Sequence, residues 1–518
     1  MREEPSAVNV GRSSFRGSEV RSESQIDDGR GRNTQSYVKS LIARAFEPVD
    51  AASLAVVRIG FGLIVVWWAL DYLLSGRAEL IFMAPRFHFT YYLFDWLPVL
   101  PRGAFVAQFW LMGVLGLLIA CGACYRAAML LFAINFSYLF LLERTNYQNH
   151  YYLVMLLAWL FALLPLNRCW AIDAWMQEQM PSPTVSRWVL WLVRFHVGLP
   201  YFFGGIAKFD SDWFAGFPLR QTLHAQADWP IIGPWFLQEW VVQIFIWGGV
   251  LFDLSIVPLL LWRRTRLLGY LLCLFFHVMN SQLFTIHIFP WLMIVATTVF
   301  FEPDWPRRFL RSAKIAMPTY ERVEWSRMSL TARGLTVLVV LYVGVHCLLP
   351  FRHWLYAGET NWTERGHHFA WRMMLRGKLI GVRYYLTDPR NGQTFIPDLR
   401  TVLTPLQMRS FARDPEMVHH FAQFLANEYV QRAGVRPEVR AVVLTSLNGR
   451  KPQLQIDPNV DLAAEPRGFY ARSWITPLAE PLPTVPWSVP VQEWEQHVEI
   501  PLLAFQERPK VNELANGN

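Results

Sequence analysis

The 518-residue chain is 53% hydrophobic and 15% aromatic but only 17% charged, whereas a soluble domain carries about 45–50% apolar and about 25% charged residues. A water-soluble globule is therefore excluded as the class, and the bilayer is where the excess apolar surface belongs. The net charge of +8 suits either nucleic acid or a membrane; the Lys and Arg residues lie mostly in short loops between apolar segments, so topology explains them and no nucleic-acid partner is expected.

In chain order, residues 1–46 are rich in Ser, Gly, Arg and Glu without periodicity, the composition of a disordered tail, and hold no apolar core of a cleavable signal. About nine apolar segments follow, at 51–74, 104–120, 127–142, 151–166, 188–207, 241–261, 267–279, 286–301 and 335–349. Several approach the ~20 residues that cross a bilayer, so 47–350 reads as a transmembrane helical bundle. Basic loops with Arg263, Arg264 and Arg266, and with Arg307, Arg308, Arg311, Lys314, Arg322, Arg327 and Arg333, fall on one side with Arg126, Arg168, Arg187 and the N-terminal tail. The positive-inside rule makes that side cytoplasmic. Loops 75–103, 143–150, 208–240 and 280–285, and everything after Phe351, then lie outside.

The region 351–500 changes character. Runs at 435–447 and 454–462, with turn signals at Asp388-Pro389-Arg390-Asn391-Gly392 and Asn448-Gly449, read as strands. Met408, Phe411, Met417, Phe421 and Phe424 recur at helical spacing within 405–433. The expected fold is a multi-pass α-helical membrane bundle of about nine transmembrane helices, followed by a mainly β extracytoplasmic domain with a helical insertion and a tail at 501–518. Cys121, Cys124, Cys169, Cys273 and Cys347 are scattered and form no disulfide framework. The lone C-x-x-C of Cys121 and Cys124 lacks a second pair or spaced His; no metal is expected, and both read as buried small residues.

Ionisable groups at membrane depth are expensive and invite functional hypotheses. Arg58, Arg194, His196, Asp253 and His277 fall within apolar segments. The structural reading pairs Arg58 or Arg194 with Asp253 as helix-packing charges. The fifth segment ends in Gly204-Gly205-Ile206-Ala207-Lys208, where the glycines permit close backbone approach. Apolar, aromatic surroundings disfavour the charged ammonium and make Lys208 a candidate base. The competing reading is a lysine snorkelling to the interface, paired with Asp210 or Asp212. His150, next to Asn149, opens the fourth segment, and His277 is followed by Asn280, Ser281 and Gln282. Three polar helix ends on one side of the membrane suit a flat apolar ligand with polar edges.

These residues resemble the vitamin K-dependent gamma-glutamyl carboxylase family. The similarity runs from about Glu47 to Pro481. It is carried by Ala52-Ser53-Leu54 with Arg58; Gly205 to Trp213 with Gly216; Phe276-His277 and Met279 to Phe284; Pro303 with Trp305-Pro306; Asn361-Trp362-Thr363; Trp371 with Met373-Met374; and Asp457-Pro458 with Val460-Asp461. The resemblance implies oxidation of reduced vitamin K (the hydroquinone, a co-substrate) by O2 to its epoxide, coupled to γ-carboxylation of peptide glutamate with CO2. It further implies Lys208 as the base that deprotonates the hydroquinone and His150, beside Asn149, as the aid to glutamate deprotonation. His277, Asn280 and Gln282 match positions near the quinone, and Trp371 lies in the region tied to the glutamate substrate.

The pattern has departures. Ala207 stands where the family often has a first Lys, Gly366-His367 replaces a Leu-Tyr pair, and the long C-terminal extension of animal members is missing. A quinone epoxidase without carboxylation is one alternative; a membrane transporter or lipid-binding protein on the same bundle is another, although no internal repeat is evident. The expected home is the plasma (inner) membrane in a bacterium or the endoplasmic reticulum membrane in a eukaryote, with the N-terminus cytoplasmic.

Overall fold

The computed structural model describes residues 40–177, 182–284, 286–311, 315, 317, 318, 328–469 and 472–500. The tails at 1–39 and 501–518, and Lys314, Arg322 and Arg327 of the basic loop, lie outside the described residues. Residues 40–45, expected to be tail, are helical.

Each apolar segment coincides with a helix: α1 (Ala52–Leu74), α2 (Arg102–Cys121), α3 (Tyr125–Leu142), α4 (Asn149–Leu163), α5 (Arg187–Ala207), α6 (Glu239–Leu261), α7 (Arg266–Leu283), α8 (Phe289–Thr297) and α9 (Leu330–Leu348). Among the described residues, six are long and apolar enough to cross a bilayer: α1, α2, α3, α5, α6 and the run Leu330–Leu355 that contains α9. The helices α4 and α8 are shorter, and α7 spends its last turns on His277, Asn280, Ser281 and Gln282. Of the about nine spans expected, six are supported by length and apolarity among the described residues.

Small residues set the tightest crossing. A Cβ on Gly62 of α1 would stand 2.5 Å from Ala120 N and Gly116 O of α2, so these backbones touch as small-residue membrane interfaces allow. Gly122 then ends α2 in the left-handed region (φ 68°), as a C-terminal glycine commonly does. Cys121 and Cys124 are exposed at this turn. That overturns the expectation of buried residues: a tight helix–helix turn leaves them outside the packed faces.

At one end of the bundle β1 (Pro48–Asp50) pairs antiparallel with β2 (Thr184–Ser186), drawing the starts of α1 and α5 together. The C-terminal region covers the other end. Its sheet is antiparallel in the order β4-β3-β5-β6, with β3 at Lys378–Thr387, β4 at Thr394–Phe395, β5 at Glu438–Leu447 and β6 at Gln453–Leu454. Only β3 and β5 are long; their register runs from Lys378↔Leu447 to Thr387↔Glu438. The helix α10 (Pro415–Ala433) packs on β5. It starts where Asp414 caps Glu416 N with Pro415 in the first turn, and ends at Gly434 (φ 72°).

This corrects the mainly β expectation: the region is two long strands, short edge strands, α10 and much irregular chain. The strand foreseen at 454–462 stops at Leu454, ahead of Pro458, which has no N–H to give a ladder. The core joins Tyr384, Phe411, Phe421, Val439 and Val443 to Phe89, which comes from the loop between α1 and α2. Phe89 is fully buried and stacks on Phe411 at 5.5 Å between centroids. The loop's Phe87 carbonyl accepts from Gln407 Nε2 at 2.8 Å.

Candidate active site

The end of α5 is built around missing side chains. A Cβ on Gly204 would lie 2.9 Å from Met373 Cε and 3.5 Å from Asp253 Oδ2; one on Gly205 would lie 3.1 Å from Asp253 Cβ. On the facing helix a Cβ on Gly249 would meet Lys208 Cε at 3.8 Å. Into this space Lys208 folds back, with Nζ donating to Asp253 Oδ2 at 2.5 Å and to the Gly204 carbonyl at 3.3 Å. Lys208 Nζ sits 5.1 Å from the Trp213 ring centroid. Lys208 and Asp253 are both buried.

The lysine's partner is thus Asp253 of α6, not Asp210 or Asp212. Nor does Asp253 meet the arginines. Arg58 donates to the carbonyls of Trp170 (2.6 Å) and Ile119 (3.4 Å), and Arg194 to those of Val299 (2.8 Å) and Phe301 (2.9 Å). Both sit at the opposite end of the bundle, where carbonyls of the helix ends and of the loops beyond them satisfy a guanidinium as well as a carboxylate does. His196 also lies away from the site, with Nε2 2.7 Å from Tyr342 Oη of α9.

Asp210 and Asp212 instead hold the C-terminal region. Asp210 accepts from Asn361 Nδ2 (2.9 Å) and lies 3.6 Å from Arg372 Nη2. Asp212 takes both arms of Arg450 (2.6 and 2.8 Å) and the amide of Asn448 (2.8 Å). Burial pushes the Asp212 carboxyl up, but the bonds from Arg450 and Asn448 bring it below its usual range. Asn448 (φ 51°) and Gly449 (φ 77°) form the tight turn the Asn-Gly pair foretold. The clasp on Asp212 was not foreseen; the Asn-Gly signal speaks of backbone and is silent on what the asparagine side chain reaches.

Beside the lysine runs a line of rings. Tyr201 Oη of α5 is 2.6 Å from His277 Nε2 of α7. The ring of Phe289 stands between the two histidines, 5.7 Å from His277 edge-on and 5.5 Å from His150 stacked. His277 Nδ1 and His150 Nε2 are buried without a hydrogen-bond partner among the described residues. Asn280 is half-buried one turn beyond His277, while Gln282 is exposed and its amide donates to Ser281 Oγ at 3.2 Å. Of the residues foreseen near the quinone, the structure buries His277, half-buries Asn280 and leaves Gln282 at the rim, and it brings His150, foreseen at the glutamate, to the other side of Phe289 from His277.

A contorted segment closes the end. Glu364, Phe369, Trp371 and Met374 adopt positive φ (59°, 61°, 57° and 61°), each costing of order 1 kcal/mol or more. Strain held this way clusters at ligand clamps and active sites. Trp371 is buried 5.0 Å from the Tyr152 ring. Asn149 Nδ2 donates to the Arg372 carbonyl (3.1 Å), Tyr147 Oη donates to Asn149 Oδ1 (3.0 Å) and accepts from Phe369 N (2.7 Å). Behind it, buried Glu364 pairs with Arg376 (2.6 Å) and Lys378 (2.7 Å). Burial, reinforced by Arg376 and Arg372, holds His367 well below the usual histidine range.

Residues 46–305 match the family model of the HTTM domain, and residues 331–481 match that of the vitamin K-dependent gamma-carboxylase lumenal domain. The chain belongs to the vitamin K-dependent gamma-carboxylase family. No solved structure matches it. Lys208, Asp253, His150 and His277 fall in the first matched stretch, and Trp371, Arg372, Asn448 and Arg450 in the second, so both family domains contribute to this end of the bundle. Membership points to a carboxylase that uses vitamin K and a glutamate-containing substrate.

Proposed function

We propose that the chain carries out vitamin K hydroquinone-dependent γ-carboxylation of peptide glutamate, coupled to vitamin K epoxidation with O2 and CO2, and that its C-terminal region faces the extracytoplasmic side. The observation that carries this reading is a buried lysine beside a ring-lined end of the bundle with unused histidine nitrogens. A flat quinol fits those residues: Phe289 and Tyr201 offer ring surface and His277 Nδ1 offers a hydrogen-bonding atom, while His150 Nε2 stays open toward the glutamate. Bound vitamin K hydroquinone, with O2, would supply the strong base that glutamate γ-deprotonation needs.

The chain's own residues do the rest. Lys208 takes a hydroxyl proton at Nζ, and its burial keeps water from competing. His150 assists at the glutamate, and Asn149 holds the 369–374 segment over the site through the Arg372 carbonyl. The test uses membranes carrying the chain, vitamin K hydroquinone, labelled bicarbonate and a glutamate peptide. Epoxide and label should both form, and Lys208→Ala should abolish both while the protein still folds. Undiminished epoxide in that variant would remove Lys208 from the mechanism. The Gly366-His367 departure favours one second reading, an epoxidase without carboxylation; epoxide with no label across a broad peptide library would select it.

A further inference from the structure

The bond from Lys208 to Asp253 raises a difficulty that points to its own answer. A base must present a free lone pair, yet Lys208 Nζ is buried and tied up in a 2.5 Å hydrogen bond to Asp253 Oδ2, so the lone pair can act only once the pair has settled where its shared proton rests. Three glycines are kept side-chain-free around the contact, and no other carboxylate touches the lysine among the described residues. We infer that Asp253 is the positioning residue for Lys208 and the group that holds its proton, so that the base is the pair and not the amine alone.

Resting on the reading of Lys208 above, the step balances without any further reagent. One N–H bond of the ammonium breaks and an O–H bond forms on Asp253 Oδ2, leaving a neutral amine against a neutral carboxylic acid. The amine lone pair then takes a hydroxyl proton from the substrate: that O–H bond breaks, an N–H bond forms, and the negative charge passes to the substrate oxygen. Asp253 ends protonated and Lys208 ends as ammonium. Nothing is oxidised or reduced.

Of the other titratable groups near the pair, Tyr201, Asp210 and Asp212 are occupied, while His277 Nδ1 and His150 Nε2 are unpartnered among the described residues but are the same in every variant compared. Tyr201 of α5 lies 2.6 Å from His277 Nε2 and 3.7 Å from Cys273 Sγ, both of α7. Asp210 and Asp212, past the end of α5, are taken by Asn361, Arg372 and Arg450. A change in pH profile on altering Asp253 therefore reports the pair.

The test measures epoxide formation against pH for the full-length membrane protein with Asp253→Asn, Asp253→Glu and Lys208→Ala, alongside hydroquinone affinity and thermal melting. A lysine amine gives up its proton at higher pH than a carboxylate does. Asp253→Asn is therefore expected to lose at least roughly a hundredfold in kcat at neutral pH with KM little changed, and to move the acid limb upward by one pH unit or more. Asp253→Glu should return part of the rate and the original limb. A merely packing role for Asp253 would lower melting and rate together without moving the limb. An unmoved limb, or one moved to lower pH, in a folded Asp253→Asn protein overturns the inference. If Lys208→Ala keeps its activity, the reading of Lys208 fails first; if Lys208→Ala is dead and Asp253→Asn behaves like the parent, only the proton-holding role fails. Should Asp253→Asn not fold, the same limb criterion is read on Asp253→Ser, which also lacks the acid, and an unmoved limb there overturns the inference.

Discussion

Removing Arg450 should loosen the turn that follows Lys208, although the two residues lie far apart in sequence. Arg450 is buried and spends its guanidinium on both Asp212 oxygens and on the carbonyls of Leu447 (3.2 Å) and Glu480 (3.1 Å). In Arg450→Met, Asp212 keeps the Asn448 amide at 2.8 Å and a long bond from the Ser211 hydroxyl at 3.5 Å against its buried charge. Breaking a buried pair from one side costs about 3–5 kcal/mol, which is roughly a hundredfold to a few thousandfold in the population of the open clasp. Asp212→Asn strands the arginine and should cost a similar amount. Asp212→Asn/Arg450→Met removes both charges and should cost less than the sum, with a coupling of about 2 kcal/mol or more. Hydrogen exchange read at amides 209–216 and 446–450 in detergent measures this, with 52–58 at the opposite end as control. The sign with pH follows from the lowered Asp212 carboxyl: its contribution is complete above about 4, the unfolded value, and is lost as pH falls through the lower folded value. Additive single variants, or unchanged exchange in Arg450→Met, would refute the clasp.

Two other outcomes follow from geometry. Burial first, then neighbouring cations, keeps His367 and His368 well below the usual histidine range and pushes His420 down to about 3. Below about pH 6.5 the unfolded chain takes up protons that these sites refuse, so stability should fall with acidification by about 1.4 kcal/mol per pH unit for each; melting temperatures from pH 7 to 5 check this, and His367→Gln should flatten the slope. In the bundle, Gly62→Ala drives a methyl into backbone atoms at 2.5 Å and should cost about 1–3 kcal/mol or more. Gly113→Ala on α2, with nothing within 4 Å of its Cβ, should be near neutral, and equal melting temperatures would refute the close crossing.

What could be read in advance divides by range. The bundle helices were visible because apolarity along a segment is a local sum. Lys208 stood out through the aromatic run before it, but its partner did not. Asp210 and Asp212 are near in sequence and won on proximity, while Asp253 sits on a different helix and is near only once α5 and α6 pack through Gly204, Gly205 and Gly249. Arg58 and Arg194 were assigned a carboxylate because charge is written in the alphabet of side chains; the backbone carbonyls that receive them carry no letter. The strand run at 454–462 looked like β by its alternation, and Pro458 was the contrary sign. Gln282 was grouped with His277 by adjacency, whereas helical phase leaves it at the rim.

The aromatic plug from the loop between α1 and α2 fixes when folding can finish. Phe89 leaves the ribosome some 320 residues before its partners Phe411 and Phe421 do, and at about 5–20 residues per second it waits on the order of tens of seconds. The bundle can thread and pack during synthesis, but the C-terminal core closes only after the chain is nearly complete. A fragment expressed from residue 351 onward would begin life with a hole where that ring belongs.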